Sequence, residues 1–279
     1  MITGKVLGEN YIKDGSAADV SGFVPDMSGD IYYEVVRLID NRFLFLQGHI
    51  DRLENSLKGS GLKFPGTGYI KENLRLLQKK NRFTEGNIRI CVQHGSVNQT
   101  SLLSYYVPYF YPEVCMYMSG VQVVSYPHVR PKPGIKKWDD NFRISVNEYI
   151  RDHGVYEAVL HNTQKQITEG SRSNIFFINP LHQLITPQEV SVLPGITRKH
   201  VLDICLEEGI KVIERPVSIS ELKDMPVCFI SGTSPKILPV WQLDGFQFKV
   251  DHPLLKLLME RFESMIKENL TCLLAKADK

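Results

Sequence analysis

Between Tyr126 and Gly134 the chain reads Y-P-H-V-R-P-K-P-G, and its three prolines offer no amide donors to a helix or a central strand. No long regular element crosses such a stretch. It divides the 279 residues into two parts, each long enough to bury a core of its own. The expected organisation is a small N-terminal α+β domain over residues 1–125, a linker at 126–134 and a larger C-terminal α/β domain over 135–279.

Hydrophobic period separates strands from helices within each part. Residues 1–29 mix Gly, Ser and Asp with short apolar pieces and read as a small hairpin with loops. Residues 31–38 (I-Y-Y-E-V-V-R-L) and 43–46 flank Asp40-Asn41, which predicts a second hairpin. From 48 to 62 the period changes: Ile50, Leu53, Leu57 and Leu62 recur at mostly helical spacing, and 70–77 predicts another helix. Residues 87–92, 101–110 and 121–125 read as strands, with Pro108 marking the middle one as an edge or a bulge. These helices are expected to lie over an antiparallel sheet. Beyond the linker, 141–153 reads as helix and 158–161, 174–178 and 184–185 as strands. Pro194-Gly195-Ile196-Thr197-Arg198 opens an amphipathic helix that runs to Glu208 and is ended by Gly209. Strands at 211–214 and 227–230, a sharp loop at 231–235 and a closing helix at 254–270 complete the pattern.

Composition narrows the functions. With 43% hydrophobic and 23% charged residues the chain is that of a soluble globular protein, and a formal charge of +2 spread along it argues for neither nucleic acid nor a membrane surface. The five cysteines are far apart and form no C-x-x-C pair, so reduced thiols are expected, with no metal site and no disulfide framework. The first residues lack a leader pattern, and no apolar run reaches the roughly 18 residues of a spanning helix. A cytoplasmic location is expected.

Several short stretches could carry chemistry. In I-T-E-G-S-R-S-N-I-F-F (167–177), Gly170 and Ser171 suit a tight turn that feeds a buried strand, which sets Glu169 at its mouth. A carboxylate there needs a partner, whether a salt bridge, a turn cap or a bound cation. At Pro194-Gly195-Ile196-Thr197 the unpaired N–H groups of a helix start and a hydroxyl favour an anion such as phosphate, though the same residues serve as a plain helix start. Ser231-Gly232-Thr233-Ser234 is either another phosphate-binding loop or only a turn. Arg52 offers a bidentate cation. Lys136, beside Ile135 and near Trp138, is either a linker lysine with its head in water or an amine able to bond a carbonyl carbon.

In order, H-I-D-R-L with Arg52, I-K with Lys136, Y-E-A-V-L-H, T-E-G-S-R-S-N-I-F, L-P-G-I-T-R and S-G-T resemble the class IV aminotransferases. These are fold-type IV enzymes that use pyridoxal 5'-phosphate: branched-chain aminotransferases, D-amino acid aminotransferases and aminodeoxychorismate lyases. The resemblance runs from about Gly29 to Gly245 and is most specific from Tyr156 to Arg198. It implies a two-domain α+β fold with the cofactor at the domain interface, and a homodimer. Lys136 would carry the cofactor and serve as the general base, with Lys137 as the other reading of the doublet. Glu169 would keep the pyridine nitrogen protonated, and Arg52, Ile196, Thr197 and Thr233 would hold the phosphate. The reaction would move an amino group between an amino acid and a 2-oxo acid.

The chain also departs from the family pattern. In place of K-S-x-N stands Lys136-Lys137-Trp138-Asp139-Asp140-Asn141, which leaves Asn141 as the nearest candidate for the bond to the cofactor 3'-oxygen. The R-x-H pair with which D-amino acid aminotransferases grip a carboxylate has no counterpart at 94–101, whereas Tyr33 matches their active-site tyrosine. Val35 stands where lyases commonly carry threonine. Arg130 is a candidate to bind a carboxylate or to neutralise Glu169, and Arg172 to face the substrate. The side-chain pocket is expected from residues 95–99 and the loop before Asp30. Two other readings stay open: a lyase that releases pyruvate, and a non-catalytic descendant acting as a binding module, which the acids after Lys136 keep alive.

Overall fold

The computed structural model describes residues 6–23, 29–95 and 100–277. The chain clusters into two compact units, one of Met1–Phe110, Ile135–Asp140 and Glu268–Lys279 and one of Tyr111–Gly134 and Asn141–Lys267. Both differ from the division drawn at the prolines. Residues 111–134 belong with the second unit, and the short Ile135–Asp140 segment returns to the first.

In the first unit, β1 (Leu7–Lys13) and β2 (Ser16–Asp19) form the small N-terminal hairpin. Next, β3 (Asp30–Ile39) and β4 (Arg42–Phe43) pair across Asp40-Asn41, whose φ of 48° and 62° suits a two-residue hairpin turn. The apolar run at 43–46 is shared, because helix α1 (Leu46–Lys58) begins inside it. After α1 come α2 (Thr67–Lys80), β5 (Gly86–His94) and β6 (Thr100–Val107), and the sheet has the order β2-β1-β6-β5-β3-β4 with every pairing antiparallel. Thus β6 is an interior strand, and Pro108 ends it: without an N–H the residue has no bond to give the ladder.

The two periods meet on one face of that sheet. Ile50, Leu53 and Leu57 of α1 and Ile70, Leu74 and Leu77 of α2 pack on Tyr32, Val36 and Leu38 of β3 and Ile88, Ile90 and Val92 of β5. Each such aliphatic side chain contributes about 1.5–3 kcal/mol by leaving water. The other face carries Ile31, Tyr33, Cys91, Tyr105 and Val107. Ile135–Asp140 joins this sheet through β3. Because β4 pairs only with Leu38 and Ile39, the same edge is open at Ile31–Tyr33, where the Tyr33 N–H donates to the Lys136 carbonyl (3.1 Å) and the Trp138 N–H to the Ile31 carbonyl (2.8 Å).

In the second unit, α3 (Val114–Ser119), β7 (Val121–Pro127), α4 (Asp140–His153), β8 (Glu157–His161), β9 (Gln166–Gly170), β10 (Asn174–Ile178) and β11 (Leu184–Thr186) precede α5 (Ile196–Glu207). There follow β12 (Val212–Glu214), β13 (Val217–Ser218), β14 (Val227–Gly232), β15 (Lys236–Leu243), β16 (Phe246–Gln247) and α6 (Pro253–Ala277). The sheet order is β12-β11-β10-β14-β15-β7-β8-β9-β13, with β16 on β15. All five residues of β10 are buried, and Phe176 stacks on Phe229 of β14 at 4.9 Å, as a strand covered on both faces requires. Three expectations change here. Residues 121–125 are a strand of this sheet, parallel to β8 and β15. Residues 166–170 form a strand of their own, so the turn before β10 is only Ser171–Ser173. Ser231 and Gly232 extend β14 against Ile237 and Lys236, which narrows the expected loop to residues 233–235.

Asn81, at the end of α2, fastens β1 to the helices. Its Oδ1 accepts from the Glu9 and Asn10 N–H groups (2.9 and 3.1 Å), and its Nδ2 donates to the Asn10 and Leu77 carbonyls (3.0 and 2.9 Å). The side chain is buried, so no water replaces it. Asn81→Ala is expected to lower unfolding free energy by about 3 kcal/mol in a urea titration; a loss below about 1 kcal/mol would contradict this role.

Candidate functional site

The predicted residues are distributed over both units: Tyr33, Arg52 and Lys136 in the first, and Arg130, Glu169, Arg172, Ile196, Thr197 and Thr233 in the second. In the first unit, the two bonds to β3 and a third from the Lys136 N–H to Ser56 Oγ (3.1 Å) fix the lysine's backbone. A strand sends alternate side chains to opposite faces, so Lys136 and Trp138 lie on the Tyr33 face. The Lys136 Nζ is 4.9 Å from the centre of the Tyr33 ring, and the Trp138 ring packs edge-on against that ring at 5.1 Å. Lys137, opposite Tyr32, is exposed and paired with Asp30 at 2.6 Å. The two lysines of the doublet therefore occupy different environments. Of the acids that follow, Asp140 accepts the Trp138 indole N–H (2.6 Å), and Asp139 is exposed.

Arg52 is buried on α1, facing Glu34 of β3. Its Nε donates to Glu34 Oε1 (2.7 Å) and its Nη2 to Oε2 (2.6 Å), the two-pronged geometry that guanidinium and carboxylate favour. His49, one turn earlier on the same helix face, lies with Nδ1 2.8 Å from Glu34 Oε2. Burial works against the Glu34 charge, but Arg52 and His49 together outweigh it and hold the carboxyl down at about 2. Burial, reinforced by Arg52 and Lys136, lowers the pKa of His49 despite the opposing pull of Glu34, so the ring is neutral at pH 7 and donates its Nδ1–H.

On the far face of the sheet stands a cation that the sequence reading passed over. Arg89 on β5 has its guanidinium 4.7 Å from the centre of the Trp138 ring and 5.8 Å from those of Tyr33 and Tyr105. Its Nε and Nη1 are buried, with no hydrogen-bond partner among the described residues. Unpaired buried donors on a charged group are costly. The signal was present in N-I-R-I-C-V, a charge in the middle of a strand of apolar residues.

In the second unit Glu169 lies inside β9, 2% exposed. Its Oε1 accepts from Arg130 Nε (2.6 Å) and its Oε2 from the Leu193 N–H (3.1 Å), so Arg130 neutralises it, one of the two roles foreseen. Arg130 also reaches the Ser171 carbonyl (3.3 Å), which accepts from Arg143 Nη1 as well (2.8 Å). The turn after Glu169 hangs on Glu157, whose Oε1 accepts from Ser171 Oγ (2.6 Å) and whose Oε2 accepts from the Arg172 N–H and Ser173 Oγ (both 3.2 Å). This explains the spacing from Y-E-A-V-L-H to E-G-S-R-S, because one buried carboxylate shapes the turn that follows the other. The Arg172 side chain is exposed and bonded to Asn147, and Asn141 is exposed in the first turn of α4.

Gly195 precedes the first turn of α5, which holds no acidic residue and starts with Ile196 and the buried Thr197. A Cβ on Gly195 would meet Asn174 Oδ1 at 2.0 Å, so only glycine fits between that side chain and the helix start. The N–H groups of this turn have no partner inside the helix, and its dipole favours an anion. On β14, two residues before Thr233, the Ser231 hydroxyl is buried without a protein partner among the described residues. Arg198, the next residue in the motif, is spent on Glu214 (2.7 Å) and the Pro187 carbonyl. Residues 96–99 and 24–28, part of the loops expected to line a side-chain pocket, lie outside the described residues. Among the described residues no group of His, Cys, Asp or Glu could hold a metal ion, and no helix is long and apolar enough to cross a membrane.

Residues 32–243 match the model of the amino-transferase class IV family. The chain is 31% identical over 265 residues to a D-alanine aminotransferase of Listeria monocytogenes serotype 4b, covering 87% of this chain and 89% of the relative. It is 30% identical over 236 residues to a putative branched-chain-amino-acid aminotransferase of Methanocaldococcus jannaschii, covering 78% and 80%. Its fold is that of the branched-chain amino acid aminotransferase of Escherichia coli, with a TM-score of 0.82 at 23% identity over 93% of this chain and 95% of that one. The chain belongs to the class IV aminotransferases, enzymes that work with pyridoxal phosphate.

Proposed function

We propose that this chain binds pyridoxal 5'-phosphate through Lys136 and moves an amino group between an amino acid and a 2-oxo acid. The observation that carries the reading is the contrast within the doublet. Lys136 is half-buried with its amine over the Tyr33 ring, whereas Lys137 is exposed and paired with Asp30.

The residues present fit the cofactor. Glu169, buried and paired with Arg130, retains acceptor capacity for a pyridine N–H. The acid-free turn at Ile196 and Thr197, the close approach at Gly195 and the Ser231 hydroxyl, without a partner among the described residues, suit a phosphate; Arg52 is the cation that the resemblance implies for it. When bound, pyridoxal phosphate draws electrons from the substrate α-carbon so that its proton can leave. The Lys136 amine would be the group that accepts the substrate α-proton and gives it back. Tyr33 and Trp138 screen the amine from water on one side. Glu169 would be the group that bonds the ring nitrogen, and Arg130 orients it. The reading includes a homodimer, as the resemblance implies.

Arg89 supports a finer substrate assignment. A buried cation whose Nε and Nη1 have no partner among the described residues, in a cage of rings that includes Tyr33, calls for an anion. A 2-oxo acid with a second carboxylate, such as 2-oxoglutarate, supplies one.

Lys136→Ala is expected to lower transamination turnover by about 10²–10⁴-fold, with Lys137→Ala close to the parent; an undiminished Lys136→Ala enzyme would overturn the assignment. Pyruvate release in the absence of an amino acceptor would instead identify the lyase. Arg89→Met is expected to raise KM for 2-oxoglutarate about 10- to 100-fold while leaving KM for pyruvate nearly unchanged. An equal change for both acceptors would remove Arg89 from substrate selection.

A further inference from the structure

Glu34 is the buried charge that the proposed reaction does not explain. On β3 it alternates with Tyr32 and Val36, residues of the face that packs under α1, and it is fully buried. An apolar residue at this place would cost nothing in desolvation, whereas a buried ion pair recovers its desolvation cost only through very good geometry. The geometry here is of that kind. Three donors converge on Glu34: Arg52 Nε and Nη2 at 2.7 and 2.6 Å, and His49 Nδ1 at 2.8 Å.

The charges in this cluster cancel. Glu34 is ionised, Arg52 is a cation and His49 is neutral, so the net charge beside the proposed phosphate-binding guanidinium is zero before any ligand arrives. The carboxylate takes the Nε and Nη2 edge of Arg52. A phosphate that meets Arg52 also meets the field of Glu34 just behind the guanidinium, and that field is repulsive. Lys136 adds a further positive charge nearby, and its amine contributes to the depressed pKa of His49.

We propose that Glu34 is a charge-compensating residue: it permits Arg52 to be buried in the cofactor-free protein and in doing so holds down the affinity of the site for phosphate. This rests on the reading that Arg52 binds the cofactor phosphate. Affinity and cofactor-free stability are then set against each other at one position. A neutral side chain at 34 would leave the full charge of Arg52 to the ligand and would remove the ion pair with Glu34 that Arg52 has without it.

The test is the binding of inorganic phosphate to cofactor-free protein, read by calorimetry, in the parent, Glu34→Gln and Arg52→Gln. Glu34→Gln is expected to bind phosphate about tenfold more tightly, as removal of one charge a few ångströms behind the guanidinium implies, and to melt at a lower temperature without ligand. Arg52→Gln is expected to bind phosphate more weakly than the parent. Unchanged or weaker phosphate binding by Glu34→Gln, with weakened binding by Arg52→Gln, would overturn the inference and leave the phosphate reading intact. Unchanged binding by Arg52→Gln would overturn the phosphate reading itself. If Glu34→Gln does not survive without ligand, the same comparison is made on protein prepared with pyridoxamine 5'-phosphate, which has no covalent link to the chain. Its dissociation, followed by fluorescence, is expected to be about tenfold slower from Glu34→Gln, and equal or faster release would overturn the inference.

Discussion

A three-residue strand pairing governs the chemistry available to this chain. Lys136 to Trp138 lie along the part of β3 that the short β4 leaves open, tied by the Tyr33 N–H to the Lys136 carbonyl and the Trp138 N–H to the Ile31 carbonyl. Register then does the sorting, because a shift of one residue would exchange faces. The observed register sends the Lys136 amine to the Tyr33 ring and Lys137 to Asp30. The same pairing brings Trp138 to Arg89, so one short segment positions both the proposed nucleophile and part of the cage around the unpartnered cation. The Lys136 N–H bond to Ser56 adds α1 to the arrangement and ties the lysine to the helix that carries Arg52.

Buried charge follows one rule at three points of the protein and breaks it at a fourth. Glu34 has Arg52 and His49, Glu157 has the hydroxyls and N–H groups of its turn, and Glu169 has Arg130 and the Leu193 N–H. Each carboxylate has its hydrogen bonds from donors built into neighbouring elements. Arg89 has aromatic faces and two buried nitrogens, Nε and Nη1, without acceptors among the described residues. Rings offset part of the cost of a buried cation but do not replace hydrogen bonds. The first three are complete without a ligand, and the fourth is not.

Most of the elements were legible because their periods are strong. The helical recurrence of Ile50, Leu53 and Leu57 and the uniformly apolar run at 174–178 both correspond to elements with buried faces. Sheet membership was not legible. Val121 to Val124 is plainly a strand, but its parallel partners β8 and β15 lie far along the chain, and local pattern says nothing about them. The motif order identified the family; among the residues it indicated, Arg52 and Arg130 pair with buried carboxylates and Ile196 and Thr197 open a helix. Arg89, Asn81 and Glu34 were missed as functional or organising groups for one reason: each draws its role from residues brought near by folding, as Asn81 does from Glu9 and Asn10. The resemblance already favoured Lys136 over Lys137, and the fold adds the different surroundings of the two side chains.

The central claim is that register selects one lysine of the doublet to carry the cofactor. The most direct measurement is borohydride reduction of the protein loaded with pyridoxal phosphate, followed by peptide mapping of the fixed adduct. The account predicts a single adduct on Lys136. An adduct on Lys137, or loading with no reducible link to either lysine, would contradict it.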